Sequence, residues 1–305
     1  MGWPTRMYEP GLAYFVTIRC LHGRLLLRPS KRTNDVLGGV LSRAVKRNEV
    51  ELFAFIFFSN HLHILVRAPK GNLPAFMQYL LTNVSKKAGA LVDWKGAFWE
   101  RRYSAEPVLD EEALLGRIRY ILSHGVKEGF VRTCREWPGL NSVHELFGKK
   151  PRSFRWYDWS RRWRTRTGKG VPDRFEERFA EEETLELTPL PLVRFARKSK
   201  WRRFLRRTLE AIRQRGWRVH PRVVGVPGIL AQDPHHRPER PKRSRRPWCH
   251  AVSARLRVEY IERYRAFRRA FSEASARWRA GDFSAVFPEH AFRPFLRPLA
   301  APSMA

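Results

Sequence analysis

His61 and His63 stand two residues apart in the stretch Phe55-Ile56-Phe57-Phe58-Ser59-Asn60-His61-Leu62-His63-Ile64-Leu65-Val66. Every second side chain of a β-strand shares a face, so an extended segment here projects both imidazoles together and turns Leu62 and Ile64 toward a core. Two adjacent imidazoles suit a divalent metal, although a histidine of such a pair can equally be a satisfied core or rim residue. Tyr120 and His124 supply a second pair. Asp110 is suited to cap a helix that has Glu111 and Glu112 in its first turn and Ala113, Leu114, Ile118, Ile121 and Leu122 on its apolar face. On that helix, expected to end near Gly125, Tyr120 and His124 are four residues apart and emerge one turn apart on one face. If the helix packs beside the strand, three imidazoles can hold one metal next to one phenol. The chemistry open to such a set is phosphoryl transfer, with attack of the tyrosine oxygen on a phosphodiester and a covalent phosphotyrosine as product. The plainer alternatives are a tyrosine half-buried against a sheet and a histidine favoured by the negative end of the helix dipole. Tyr103 is a competing nucleophile, but it lies in an extended segment with no histidine at helical spacing and reads as core or DNA-facing.

The elements needed to position these residues can be read from period and punctuation. Tyr14 to Arg19 reads as a strand, and Asn34 to Arg47 as a helix with Val36, Leu37, Val40, Leu41 and Val45 on one side. Leu52 to Phe57 and His61 to Val66 read as a hairpin closed by Phe58-Ser59-Asn60. Pro74 suits a helix start, continued by Phe76, Met77, Leu80, Leu81 and Val84. Ala97 to Leu109 reads as extended. The order strand, helix, strand, strand, helix, strand, helix implies an antiparallel sheet with helices packed on one face.

The chain has 305 residues, 43% of them hydrophobic, and a formal net charge of +31. That charge points to a polyanionic partner, nucleic acid before membrane. No window approaches the run of apolar residues needed to span a bilayer, and Met1-Gly2-Trp3-Pro4-Thr5-Arg6 lacks the apolar core of a signal peptide, so a cytoplasmic, nucleoid-associated protein is expected. Cys20, Cys134 and Cys249 are an odd number without a Cys-x-x-Cys pair, which argues against a disulfide framework and a zinc knuckle. The excess of basic over acidic residues is about twice as large after residue 150 as before it. Two functional halves follow from that asymmetry.

Three blocks of the first half, Ser59 to Val66, Phe98-Trp99-Glu100-Arg101-Arg102-Tyr103, and Arg119 to Val131, resemble in order and separation those of the single-tyrosine HUH transposases, with an IS200-like domain. Among these they are closest to the REP-associated tyrosine transposases. The resemblance spans roughly residues 8–148. It implies His61 and His63 as metal ligands, Tyr120 as nucleophile, magnesium or manganese as metal, and single-stranded or hairpin DNA as partner, with a homodimer as one arrangement. Where the family often places a polar amide to complete the metal site, this sequence has His124. Two positions depart from the pattern: Ser59 stands where proline is common, and His124-Gly125 replaces the usual Asn-Pro. Serine also suits a turn. A third imidazole is a softer ligand than an amide oxygen and favours manganese or a later transition metal.

The expected fold is therefore α+β, a ferredoxin-like or RRM-like antiparallel sheet in residues 8–148, followed by a basic, mainly helical region in 149–305. Arg101, Arg102, Arg117, Arg119 and Lys127 are expected to contact the phosphate backbone. In the second half, Trp156, Trp159 and Trp163 are spaced as a helix stripe or as stacking surfaces among Arg155, Arg161, Arg162 and Arg164. Helices are expected near Val193 to Arg215 and Val252 to Trp278. Between them Pro221 to Pro247 reads as a linker or a segment ordered on binding, with His235-His236 in the linker and Pro241-Lys242-Arg243-Ser244-Arg245-Arg246 as a basic tether. The function expected is a metal-dependent single-strand DNA endonuclease and strand transferase. The alternative is a domesticated, non-catalytic nucleic-acid-binding protein; an RNA-binding protein of translation would require the paired histidines to be coincidence.

Overall fold

Alternating residues give the central sheet two faces with different uses. In the computed structural model, which describes residues 5–148, 150–165, 172–192, 197–239 and 247–291, the first half runs β1 (Ala13–Arg19), α1 (Lys31–Asn48), β2 (Glu51–Phe57), β3 (His61–Arg67), α2 (Leu73–Leu91), β4 (Ser104–Val108) and α3 (Glu111–Lys127). The sheet order is β2-β3-β1-β4, with every pair antiparallel. This is the ferredoxin-like arrangement of two interleaved β-α-β units. Tyr14, Val16, Ile18, Leu62, Ile64 and Val66 face α1 and α2 and form one core with Leu37, Leu41, Phe76 and Leu80. Phe15 and Leu65 face the other way, into a second core with Leu114, Ile118, Ile121 and Leu122 of α3. Two helices thus share one face as the sequence order implies, while α3 takes the opposite face, the one that carries the histidines.

Local chemistry sets the element ends. The Ser30 hydroxyl accepts from Thr33 N at 3.0 Å and starts α1 three residues before its apolar periodicity becomes visible. Phe58 N donates to His61 O at 2.8 Å, which closes the β2–β3 turn around Ser59 and Asn60. Asp110 caps α3 through Oδ1 and Ala113 N at 2.7 Å. Its Oδ2 accepts from Val252 N at 2.7 Å and Ser253 N at 3.2 Å.

After α4 (Val143–Leu146) ends the first half, the second contains β5 (Arg152–Tyr157), α5 (Trp159–Arg164), β6 (Ala180–Leu185), α6 (Lys198–Val219), α7 (Gly225–Leu230) and α8 (Ala254–Arg279). It is helical as expected, with one two-stranded sheet that was not expected. β5 and β6 pair antiparallel and lie on α1. Gly38 and Gly39 permit this: a Cβ on Gly39 would stand 2.0 Å from Arg155 O, and one on Gly38 2.2 Å from the Phe154 ring. The tryptophans consequently form no single stripe. Trp156 is buried on β5, whereas Trp163 on α5 is 54% exposed.

Pro221 to Pro247 is not a free linker over its described part. Val224 N and Gly225 N donate to Gly129 O and Phe130 O, Arg28 reaches Leu230 O and Gln232 O, and His235 Nε2 contacts Val92 O. The tether expected at 241–246 and the first residues of the helix expected from Val193 lie outside the described residues. Cys20, Cys134 and Cys249 are buried free thiols. Among the described residues no helix is long and apolar enough to cross a membrane.

Candidate metal and tyrosine centre

Strand alternation on β3 and the helical period of α3 meet at one point. His61 and His63 leave β3 on the face covered by α3, and His124 comes down from α3 onto them. One ligand atom from each of the three lies within 4.8 Å of the others. All three are buried, and Nε2 of His61 is 2.7 Å from Nε2 of His124. Burial holds His61 and His63 well below the ordinary histidine range, and the neighbouring His124 adds to it. Neutral imidazoles with available lone pairs result.

Polar partners fix how the two strand histidines present themselves. Asn60 Nδ2 donates to Gly23 O at 3.0 Å, which turns its Oδ1 toward His61 Nδ1 at 2.6 Å. His61 therefore donates from Nδ1 and keeps its Nε2 lone pair. His63 Nδ1 lies 2.8 Å from Thr17 Oγ1, and its buried Nε2 has no hydrogen-bond partner among the described residues. Imidazoles held through Nδ1, with Nε2 turned into a common centre, are the outer-shell pattern of metal-ligating histidines. The donor set fits a divalent first-row ion. Three imidazoles suit manganese and later metals better than magnesium, which prefers oxygen ligands.

Tyr120 is half-buried on the same face of α3. Its ring centroid is 5.2 Å from that of His63 and 5.4 Å from that of His124. Phe15 backs the arrangement, stacked on His63 at 5.1 Å and edge-on to Tyr120 at 5.6 Å. Arg117 Cζ lies 5.3 Å and Lys127 Nζ 4.8 Å from the tyrosine ring. Phe58 anchors the other side: it stacks on Trp137 at 4.1 Å and meets His124 edge-on at 4.7 Å.

The expected phosphate contacts divide into two groups. Arg117, Arg119 and Lys127 line a groove of about 880 Å³ beside Tyr120, between α3 and α6. Arg101 and Arg102 do not line it. They precede β4, and Arg102 shares its surroundings with Arg6, Tyr8, Tyr103 and Tyr264. Tyr103 is a core residue, its hydroxyl 2.9 Å from that of Tyr8. Sequence reasoning did not find Thr17, Phe15, or the α6 residues of the groove. Asn60 was visible as the turn residue before His61, without the role it takes here.

Residues 24–124 match the family described as "Transposase IS200 like". The matched segment is about a third of the chain and includes Tyr120 and all three histidines. No curated protein matches the chain. Solved structures similar to part of the chain include two transposase structures. One is a REP-associated tyrosine transposase bound to a REP hairpin, 18% identical, covering 48% of this chain and 86% of that one with a TM-score of 0.42. The other is a protein assigned as a transposase from Deinococcus radiodurans R1, 19% identical, covering 40% of this chain and 94% of that one with a TM-score of 0.29.

Proposed function

We propose that this chain is a metal-dependent transposase that cuts and rejoins single-stranded DNA through a transient bond to Tyr120. The observation that carries this reading is the convergence, within one chain, of the Tyr120 ring on His63 and His124 at 5.2 and 5.4 Å. The match of residues 24–124 to the IS200-like family supports it.

His61, His63 and His124 would hold the metal, manganese in preference to magnesium. When bound, such an ion supplies a Lewis acid for a phosphoryl oxygen. The chain's own residues do the rest. The phenolic oxygen of Tyr120 forms a bond to phosphorus as one bridging P–O bond breaks, and the phenol's proton ends on the hydroxyl that leaves. Reversal with a second strand end restores the phenol. A free phenol is mostly protonated at neutral pH, so cations beside it assist by favouring the phenolate. Arg117 and Lys127 occupy those places, and their charges also suit the non-bridging phosphate oxygens. Arg119 extends the same basic face, and Arg101 and Arg102 offer a separate place for the backbone to bind. Phe15 and Phe58 exclude water behind the site. Because the tyrosine and the histidines belong to one chain, this reading needs no second copy to complete the centre.

Tyr120→Phe tests the assignment. The ring and its packing on Phe15 remain while the nucleophile is lost. Incubated with manganese and a labelled single-stranded oligonucleotide, the parent protein should give a covalent adduct that survives denaturing electrophoresis; Tyr120→Phe should bind the oligonucleotide equally well and give none. An adduct in the variant removes Tyr120 from its role. No adduct from the parent in any metal, with salt-sensitive binding intact, selects the non-catalytic alternative.

A further inference from the structure

The groove beside Tyr120 has a second wall that does not belong to the IS200-like segment. That wall is α6, which contributes Phe204, Arg207, Thr208, Ala211, Ile212, Arg215, Gly216 and Val219. α3 and α6 approach closely because Gly216 faces Val126: a Cβ on Gly216 would stand 2.2 Å from Val126 Cγ1. At the far end, His220 Nε2 contacts Lys127 O at 2.8 Å and Arg132 donates to His220 O at 2.9 Å, which holds the end of α6 against that of α3.

The lining combines two chemistries. Arg117, Arg119 and Lys127 on α3 and Arg207 and Arg215 on α6 are cationic, and none of the described lining residues is acidic. Glu210 of α6 pairs with Arg213 at 2.7 Å, while Glu128 stands 3.8 Å from Lys127, so it offsets part of one lining cation's charge and leaves the groove cationic. Between the cations lie the apolar surfaces of Val126, Phe204, Ala211, Ile212 and Val219. A double helix presents phosphates and sugars outward and keeps its bases stacked inside, so it has nothing to place on an apolar floor. An unpaired strand has both: bases for the floor and phosphates for the cations.

We infer that α6 is the second wall of a single-strand channel, so that unpaired DNA lies between α3 and α6 with its bases on Phe204, Ala211 and Ile212 and its phosphates on Arg207 and Arg215, leading to Tyr120. This rests on the transposase reading for the meaning of Tyr120, but the channel itself is tested by binding alone. The basic second half thereby becomes part of the substrate site rather than a separate holding module.

The full chain is titrated against a short fluorescent single-stranded DNA, and against the same sequence as a duplex, across a salt series. Arg207→Ala/Arg215→Ala should weaken single-strand binding on the order of tenfold and flatten the log-log salt slope by about 1.4, the value for two lost phosphate contacts on a single strand. Arg203→Ala/Arg206→Ala removes the same charge from residues of α6 outside the lining and should change single-strand affinity less than about twofold on the same electrostatic argument. Gly116→Phe changes no charge; a Cβ there meets open space within the groove, so the new ring fills the floor without disturbing the helix and should also weaken single-strand binding. Duplex binding should be unchanged by Gly116→Phe. Equal losses from the two arginine pairs, an unaffected Gly116→Phe, or parallel losses for duplex and single strand each overturn the channel. The adduct assay is independent: absence of an adduct with these binding results intact removes the tyrosine chemistry and leaves the channel, and an adduct without them does the reverse.

Discussion

Removing the Thr17 hydroxyl should weaken metal binding without touching a ligand. Thr17 Oγ1 lies 2.8 Å from His63 Nδ1 across the β1–β3 pair, and the strand register sets the two residues directly opposite. Thr17→Val keeps the branched shape that a strand favours and deletes only the oxygen. Loss of such an outer-shell partner lowers metal affinity by about 10- to 100-fold. At a free metal concentration about 100 times the parent's Kd, binding stabilises the native state by about 2.7 kcal/mol. A variant bound about 30-fold more weakly would retain roughly 0.9 kcal/mol of that gain at the same concentration, a loss of about 1.8 kcal/mol. Manganese titration followed by the electron paramagnetic resonance signal of the free ion reads the affinity directly, and the metal-dependent gain in unfolding free energy reads its consequence. His63→Ala, which removes a donor outright, sets the lower limit, and Asn60→Ala should behave as Thr17→Val does through His61. Parent-like affinity in Thr17→Val together with a large loss in His63→Ala would refute the orienting role; parent-like affinity in both would remove the metal site.

Asp110 should prove to be a shared cap. Asp110→Ala loses one hydrogen bond from Ala113 N and two from Val252 N and Ser253 N, at a combined cost of about 2–4 kcal/mol by urea unfolding; hydrogen exchange should rise at Val252 and Ser253 as well as in the first turn of α3, and change confined to α3 would refute the shared role. Lys87 predicts a pH dependence. Burial pulls its ammonium down to about 8, between the Trp156 and Trp159 rings at 4.3 and 4.5 Å. The unfolded chain then holds the proton more tightly than the folded one, so stability should rise with pH from about 8 to the ordinary lysine value of 10.5. Chemical denaturation across that window should show the rise in the parent and a smaller one in Lys87→Met; equal slopes would show that Lys87 is not its source.

The first half could be read from its sequence because each signal there is local. The alternation of His61 to Val66, the Asp110 cap and the spacing of Tyr120 and His124 each lie within a few residues, and each decides an element or a face by itself. What escaped depends on contacts distant in sequence. Thr17 meets His63 only through the β1–β3 register, and nothing near Thr17 announces an imidazole 46 residues away. Trp156, Trp159 and Trp163 have helical spacing, yet Trp156 lies on a strand, because the bare Gly38-Gly39 surface of α1 accepts the β5 backbone and outweighs local period. In the same way Gly216 carries no motif; its meaning comes from Val126, 90 positions earlier by residue number.

One relation, α3 against β3, is enough to build the centre. Helical geometry already fixes Tyr120 one turn from His124, and the pleat already fixes His61 beside His63. Seating His124 on the strand pair therefore places the tyrosine as well. The seat itself is apolar: Phe58, stacked on Trp137 and edge-on to His124, closes one side, and Phe15, stacked on His63 and edge-on to Tyr120, closes the other. Each phenylalanine touches one histidine of the strand pair, Phe58 meeting His61 at 5.2 Å and Phe15 meeting His63 at 5.1 Å. Replacing an amide by histidine after the tyrosine is consistent with this seat, because an imidazole carries an apolar edge for Phe58 and a nitrogen for the shared centre on one ring. The 2.7 Å separation of the Nε2 atoms of His61 and His124 is that of an N–H···N hydrogen bond, which by itself seats His124 on the strand pair and brings Tyr120, one turn away, to the same point.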